Sequence, residues 1–180
     1  MAKTKIDDFI VRQQNRLIFD TNVWLLLFNP IGNFERKHQD KYSKLLSSVL
    51  SRNASIYIPA VILSEFANVV LRHEFSLWKD RNQNQRLSYK RDFMPTQDYR
   101  NQHNLVINLL DRIMKLDVVE KISDGFNTVS LDDINSYFDS VDYNDAIIAD
   151  IAERNSLKVV TNDSDFFKLS HRLDVISALN

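Results

Sequence analysis

Four stretches of this sequence set carboxylates where they could do chemistry. In RLIFDTNVWLLLF (residues 16–28) an apolar run ends at Asp20, and polar Thr21 and Asn22 follow before a second apolar run. IPAVILSEF places Glu65 inside an otherwise apolar segment. DYNDAIIADIA puts Asp142 and Asp145 at the start of an apolar helix, and VVTNDSDF puts Asp163 and Asp165 just past an apolar strand. Carboxylates gathered from strand tips and helix starts repel one another unless a cation lies among them. Hard divalent ions such as Mg²⁺ or Mn²⁺ prefer all-oxygen ligands of this type. Each residue also has a plainer reading. Asp20 and Asp142 are suitable helix N-caps. Asp145, at the third helical position after Asp142, nearly completes a capping box. Asp163 can cap a short helix through Leu169. Glu65 can reach solvent from the edge of its apolar stripe.

The elements that must position these groups alternate along the chain. Strands are expected at 16–20, 55–58, 117–120, 157–160 and 173–176. Helices are expected over Thr21–Phe28, stopped near Asn29-Pro30 with a turn at Gly32, then over Phe34–Arg52 and over 60–75 behind Pro59. Further helices follow at 96–115, Ser130–Phe138 and from Asp142 on. Residues 1–15 read as a polar lead-in with a helical turn around Phe9, Ile10 and Val11. This alternation predicts one α/β domain over residues 1–180 with a mainly parallel sheet. In such sheets ligands bind at the carboxyl ends of the strands, where Asp20 falls.

Residues 76–100 form a stretch of different character. Lys79, Arg81, Arg86, Lys90, Arg91 and Arg100 alternate there with Trp78, Tyr89, Phe93 and Tyr99. Cations among aromatic rings suit a phosphate backbone with stacked bases. A solvated helical pair with its rings packed inward explains the same pattern.

Composition narrows the classes. The chain of 180 residues contains no cysteine, which excludes disulfides and a thiolate zinc site. Its two glycines, Gly32 and Gly125, exclude both a Walker loop and a GxGxxG fingerprint. No apolar stretch is long enough to span a membrane, and the N-terminus lacks the apolar core of a signal peptide, so a cytoplasmic location is expected. The net charge of −1 is unevenly spread. Residues 1–110 hold 16 Lys and Arg against 10 Asp and Glu, whereas residues 111–165 hold 5 against 13. A basic half beside an acidic half is compatible with polyanion binding next to a metal site, and equally with two solvated faces. The histidines His38, His73, His103 and His171 are scattered without metal-ligand spacing.

In combination, IFDTNVWL, PAVILSEFANVV and DYNDAIIADIAERNSLKVVTNDSDF resemble the PIN-domain ribonucleases, and most nearly the toxin members of bacterial toxin–antitoxin pairs. The likeness runs from about Arg16 to Leu169. It implies a three-layer α/β/α sandwich around a mainly parallel five-stranded sheet, here with a helical insertion around residues 76–100. It implies a ribonuclease that uses Mg²⁺ or Mn²⁺, with Asp20, Glu65, Asp145 and Asp163 as catalytic metal ligands. Asn22 and Thr161 match supporting positions, and Asp142 and Asp165 stand nearby. The RNA would lie on a basic surface, for which Lys79, Arg81, Arg86, Lys90 and Arg91 are the candidates. A cognate antitoxin and a homodimer are the partners the family suggests. Two other strand-tip aspartate families fit less well. A haloacid-dehalogenase-type phosphatase needs a second Asp two residues on, where Asn22 stands, and a receiver domain needs an acidic pair that LIFD lacks. The alternative of another class is a PIN-like RNA- or protein-binding module with little or no nuclease activity.

Overall fold

The computed structural model describes residues 2–28, 36–127 and 129–179. Among them, six strands form one sheet: β1 (Lys3–Lys5), β2 (Arg16–Phe19), β3 (Ser55–Ile58), β4 (Val119–Lys121), β5 (Lys158–Thr161) and β6 (Val175–Ser177). Their order is β1-β6-β5-β2-β3-β4, and every pairing is parallel. Parallel neighbours require crossovers, which the helices provide. These are α1 (Thr21–Phe28), α2 (Arg36–Arg52), α3 (Ala60–Arg81), α4 (Gln97–Met114), α5 (Leu131–Phe138) and α6 (Tyr143–Arg154). Leu17, Ile18 and Phe19 of β2 are wholly buried, as are Val159 and Val160 beside them on β5. Continuous apolar strands of this kind mark a sheet covered on both faces.

The sheet therefore has six strands, one more than expected. The additional strand is β1, within the stretch read as a polar lead-in. Lys-Thr-Lys carries no apolar signal because only its backbone is used: Thr4 aligns with Ile176, and the Val175 N–H donates to the Ala2 carbonyl at 3.0 Å. Exposed Lys3 and Lys5 also suit a sheet edge, where charge discourages pairing with other chains. The helical turn of the lead-in falls at Ile6–Asp8 rather than at Phe9–Val11. It forms there because Ile6 and Val11 are the buried anchors, while Ile10 is 76 % exposed. The helix expected over 60–75 continues to Arg81, and the stop at Asn29-Pro30, the turn at Gly32 and the first residues of the helix at Phe34 lie outside the described residues.

The order of the strands fixes where a site can form. From β2 the chain steps to β3 and β4 on one side, then returns to β5 on the other. The C-terminal tips of β2 and β5 thus flank the point at which the winding reverses, which leaves a crevice there. Phe19 aligns with Val160, and the Asp20 N–H donates to the Val160 carbonyl at 2.9 Å, so Asp20 and Thr161 stand tip to tip.

A brace holds the loop after β4 to two of the helices. Asp150 of α6, 4 % exposed, accepts from Arg154, which also donates to the Asp124 carbonyl at 2.9 Å. The Asp124 carboxylate accepts the Ala60 N–H at the start of α3, at 3.2 Å. Gly125 follows with φ of +66°, and a Cβ there would lie 2.6 Å from Arg154 Nη1. Gly125→Ala is expected to cost about 1–2 kcal/mol in denaturant unfolding, through both the left-handed backbone and the displaced guanidinium. A neutral result would show that the loop rearranges without loss.

Candidate active site

Asp20 ends β2 and is only 2 % exposed. Its Oδ2 accepts from the Thr161 hydroxyl at 2.8 Å and from the Asn22 amide at 3.3 Å. The first of these bonds crosses from β5, so the carboxylate is tied to the neighbouring strand tip rather than serving only the helix behind it. Burial drives its pKa up to about 7. The Thr161 bond opposes that shift, and the nearby Glu65 and Asp163 charges add to it.

Asp145 arrives from α6. Asp142 caps this helix through its carboxylate, which accepts the Asp145 N–H at 2.9 Å. The cap leaves Asp145 on the inner face at 9 % exposure, in the first turn of the helix, where the dipole favours a negative charge. Burial still pushes its pKa up to about 8, with repulsion from Asp20, Asp142, Asp163 and Glu65 contributing in that order. Glu65, on the second turn of α3, is half-buried and accepts from the Thr21 hydroxyl at 2.9 Å. Its pKa is also raised, first by burial and then by Asp142, against the pull of Thr21 and Asn144.

Asp163 stands two residues past β5. Its backbone N–H donates to Thr161 Oγ1 at 2.9 Å, and its Oδ1 accepts the Asp165 N–H at 2.8 Å. Thr161 is thus a hub whose single hydroxyl donates to Asp20 and accepts from Asp163. Asp165 is drawn aside by Lys168, whose Nζ lies 2.8 Å from Oδ1. Thr161→Val removes both bonds while preserving shape, so Asp20 loses the donor that holds its pKa down. The variant is expected to lose about 1–3 kcal/mol of stability in denaturant melts. Unchanged stability would remove Thr161 from the site's framework.

The four expected carboxylates therefore lie at one end of the sheet, where the charges of Asp20, Asp163 and Glu65 help to raise the pKa of Asp145. Among the described residues, no Lys or Arg forms an ion pair with Asp20, Glu65, Asp145 or Asp163. Hard oxygens with an excess of negative charge and no basic counterpart fit a divalent cation. As they stand, however, no three His, Asp or Glu among the described residues are grouped so as to hold an ion. The donor set fits by its chemistry alone. Two contributors carried little signal in the sequence. Thr21, adjacent to Asp20, anchors Glu65. Tyr42 of α2, fully buried, donates to the Thr161 carbonyl at 2.6 Å and accepts the Ala178 N–H at 3.1 Å, which fixes the tip of β5.

The basic stretch lies elsewhere. Lys79 is 14 residues beyond Glu65 on α3, about 21 Å along the helix axis. Trp78 and Phe93 are buried, and Phe75, Trp78, Tyr89, Phe93 and Tyr99 pack on one another with centroids 5.3–6.3 Å apart. These rings form a small core between α3, α4 and a π-helical turn at Tyr89–Phe93. Of the cations, Arg81 pairs with Glu74 at 2.6 Å and Arg91 with Asp92 at 2.9 Å, while Arg86 and Lys90 are exposed. Lys79 sits over the Phe75 ring at 5.1 Å.

A parallel α/β sheet with buried carboxylates at its switch point defines the class of the site. Residues 17–172 match the PIN domain family, and the chain belongs to it. PIN domains are generally nucleases. Among solved structures, the chain resembles one from VapBC2 of Rickettsia felis, crystallised bound to a DNA fragment from their promoter. That likeness has a TM-score of 0.52 and 18 % identity and covers 90 % of this chain and 98 % of that one. PAE2754 from Pyrobaculum aerophilum aligns with a TM-score of 0.47 and 14 % identity, over 92 % of this chain and 85 % of that one. No curated protein matches significantly. No helix among the described residues is long and apolar enough to cross a membrane.

Proposed function

We propose that this chain is a metal-dependent ribonuclease of the toxin type, acting in the cytoplasm. The observation that carries the reading is the convergence of Asp20, Glu65, Asp145 and Asp163 at the switch point, where mutual repulsion helps to raise the pKa of the buried members. Asp20, Asp145 and Asp163, with Glu65 directly or through water, would hold Mg²⁺ or Mn²⁺. When bound, such an ion supplies an activated water and offsets the charge that builds on a phosphodiester during hydrolysis. The protein's own part is to orient the ligands. Thr161 and Asn22 fix the Asp20 carboxylate, Thr21 fixes Glu65, and the Asp142 cap fixes the turn that carries Asp145. Asp163 is held through its backbone to Thr161.

Lys79, about 21 Å from Glu65 along α3, would contact the RNA backbone several nucleotides from the cut, and Arg81, Arg86, Lys90 and Arg91 are the further candidates in the same stretch. The fold shared with VapBC2 supports a cognate antitoxin as the protein partner, and a homodimer is the assembly to test by light scattering. The direct test is cleavage of a panel of single-stranded and folded RNAs in Mg²⁺, Mn²⁺ or EDTA, with end analysis of the products. Metal-dependent cutting that leaves 5′-phosphate and 3′-hydroxyl ends is expected. A second reading follows from the absence of a closed ligand group among the described residues: the chain is an RNA- or protein-binding module. Absence of cutting under every condition, together with no metal-induced rise in Tm, would establish that reading instead.

A further inference from the structure

The tip of β5 is held by a hydroxyl that stands where a strand-to-strand bond would otherwise run. In the β5–β6 ladder the Val159 N–H donates to the Asp174 carbonyl at 2.9 Å, and Thr161 aligns with Ser177. Bonds in a parallel ladder are evenly spaced, so this register calls for a further rung from the Ala178 N–H to the Thr161 carbonyl. Tyr42 takes its place. The Ala178 N–H donates to the Tyr42 hydroxyl at 3.1 Å, and the hydroxyl donates in turn to the Thr161 carbonyl at 2.6 Å. The Asn162 side-chain oxygen lies 3.2 Å from the same hydroxyl, as a second and more distant acceptor. Tyr42 reaches this point from α2 with its ring wholly buried, on the helical face that also buries Leu45 and Val49. A direct rung would pair the same two backbone groups without any side chain. What the inserted oxygen adds is therefore spacing between the ends of β5 and β6. That spacing bears on the acidic cluster through Thr161, whose hydroxyl donates to Asp20 at 2.8 Å and accepts the Asp163 N–H at 2.9 Å.

We propose that Tyr42 is a positioning residue of the acidic site, its hydroxyl spacing β5 from β6 so that Thr161 holds Asp20 and Asp163 in place for one cation. The proposal rests on the ribonuclease reading and deepens it with a residue of α2 that acts through Thr161 rather than on the ion. Groups that stand behind metal ligands set the orientation of those ligands, and their loss lowers affinity for the ion. Thr161 is such a group for Asp20, and the partner of its carbonyl decides where it stands. The strand order gives the displacement a direction, because β6 and β2 lie on opposite sides of β5. Without the hydroxyl, Ala178 can close on Thr161 and complete the ladder, which draws the tip of β5 toward β6 and away from β2. The Thr161 bond to Asp20 crosses that widening gap, and the turn at Asp163 moves with its anchor.

The test compares the wild type with Tyr42→Phe, which keeps the ring in the core and deletes the hydroxyl. Tyr137→Phe is the matched control. Tyr137 of α5 is also wholly buried, and it donates to Glu153, eight residues and about two turns beyond Asp145 on α6. Three readouts are taken on each protein: amide hydrogen exchange by NMR in EDTA, a Mn²⁺ titration followed by thermal shift, and RNA cleavage. In Tyr42→Phe the Asp163 amide should exchange about ten-fold faster than in the wild type. The Mn²⁺ concentration for half-saturation should rise about ten-fold, and kcat should fall by a similar factor with KM for RNA unchanged. Tyr137→Phe should lower Tm yet leave all three readouts at wild-type values. Ala178→Pro removes only the N–H given to the hydroxyl, behind a residue already extended in β6, and should move the readouts in the same direction as Tyr42→Phe. If both variants lower Tm as Tyr137→Phe does but leave Asp163 exchange, Mn²⁺ affinity and kcat unchanged, the hydroxyl serves stability alone; the proposal is overturned and the nuclease stands. A wild type that neither binds Mn²⁺ nor cuts RNA would instead remove the ribonuclease reading. Asp163 exchange then decides alone: faster exchange in Tyr42→Phe keeps the hold of Tyr42 on the turn, and equal exchange overturns it.

Discussion

Asp20→Asn is expected to lower RNA cleavage by about 10³-fold or more while raising the thermal stability of the metal-free protein at pH 8. The two effects have one cause. Asp20 is the most buried of the converging carboxylates, and its charge is held against both burial and its acidic neighbours. Asparagine keeps the shape, and its amide oxygen can accept the Thr161 hydroxyl and the Asn22 amide in place of Oδ2. What is lost is the negative charge that a cation requires. Moving a carboxyl pKa from 3.8 to about 7 corresponds to about 4 kcal/mol of penalty above pH 7, of which the substitution should recover a part. A gain of even 1–2 kcal/mol would raise Tm by about 3–6 °C in a chain of this size. The measurements are single-turnover cleavage in Mn²⁺ and thermal melts in EDTA, on protein purified identically. A variant that loses activity because it unfolds would make Asp20 a structural anchor, and the metal reading would lose its main support.

The carboxylates of the candidate site were easier to single out in the sequence than the frame that carries them. Asp20, Glu65, Asp145 and Asp163 each interrupt or terminate an apolar run, and such interruptions are visible without coordinates. Of their plainer readings, that of Glu65 fails, since it is half-buried and accepts from Thr21. Asp142 caps α6, as its spacing to Asp145 predicts, and Asp163 closes a local turn. Capping and site-building coexist here because helix starts and strand tips share one edge of the sheet. By contrast, β1 was illegible, since an edge strand that pairs through its backbone needs no apolar side chain. Tyr42 was legible only as a core position: periodicity shows which face it occupies, but not that its hydroxyl bridges Thr161 and Ala178 across more than a hundred residues.

The stretch 76–100 shows the limit of reading function from residue types. Its interleaved cations and rings fit an RNA surface and an inward-packed helical pair equally well. The structure places the rings in mutual contact, with Phe93 fully buried. Two of the cations pair with acids close by in sequence, and the bidentate pair of Arg91 with Asp92 holds that carboxyl down to about 2. Composition cannot separate these outcomes, because the third dimension decides which way an aromatic side chain points. Under the proposed reading, the remaining exposed cations would act at a distance from the cut, where charge matters more than geometry.

Metal-free protein should lose stability as pH rises from about 4 to about 8, and Mn²⁺ should reverse that loss. The sign follows from the direction of the shifts. Asp20 and Asp145 have ordinary values of 3.8 when unfolded and sit at about 7 and about 8 when folded. Well below pH 3.8 both groups are protonated in both states, and neither opposes folding. Between pH 4 and pH 8 the unfolded chain is ionised while the folded chain still holds protons, so each step upward in pH favours unfolding. Above pH 8 the full penalty is present. Because the two groups repel each other, their penalties are coupled, and the combined loss is expected to be several kcal/mol. A cation bound at the cluster removes the repulsion and adds its own binding energy, which grows with the logarithm of its concentration over Kd. Melts in EDTA from pH 4.5 to 9 should therefore show Tm falling through the neutral range. Millimolar Mn²⁺ should raise Tm strongly at pH 8 and weakly at pH 5, where protons compete for the same oxygens. Asp20→Asn and Asp145→Asn should each flatten the EDTA curve and blunt the response to Mn²⁺. A flat profile in the wild type would mean that neither burial nor mutual repulsion holds these carboxyl groups above their ordinary range, and the cluster would have no excess charge for a cation to relieve. If the pH dependence appears without a Mn²⁺ response, the cluster is acidic and buried but not a metal centre, and the binding-module reading gains the support that the nuclease loses.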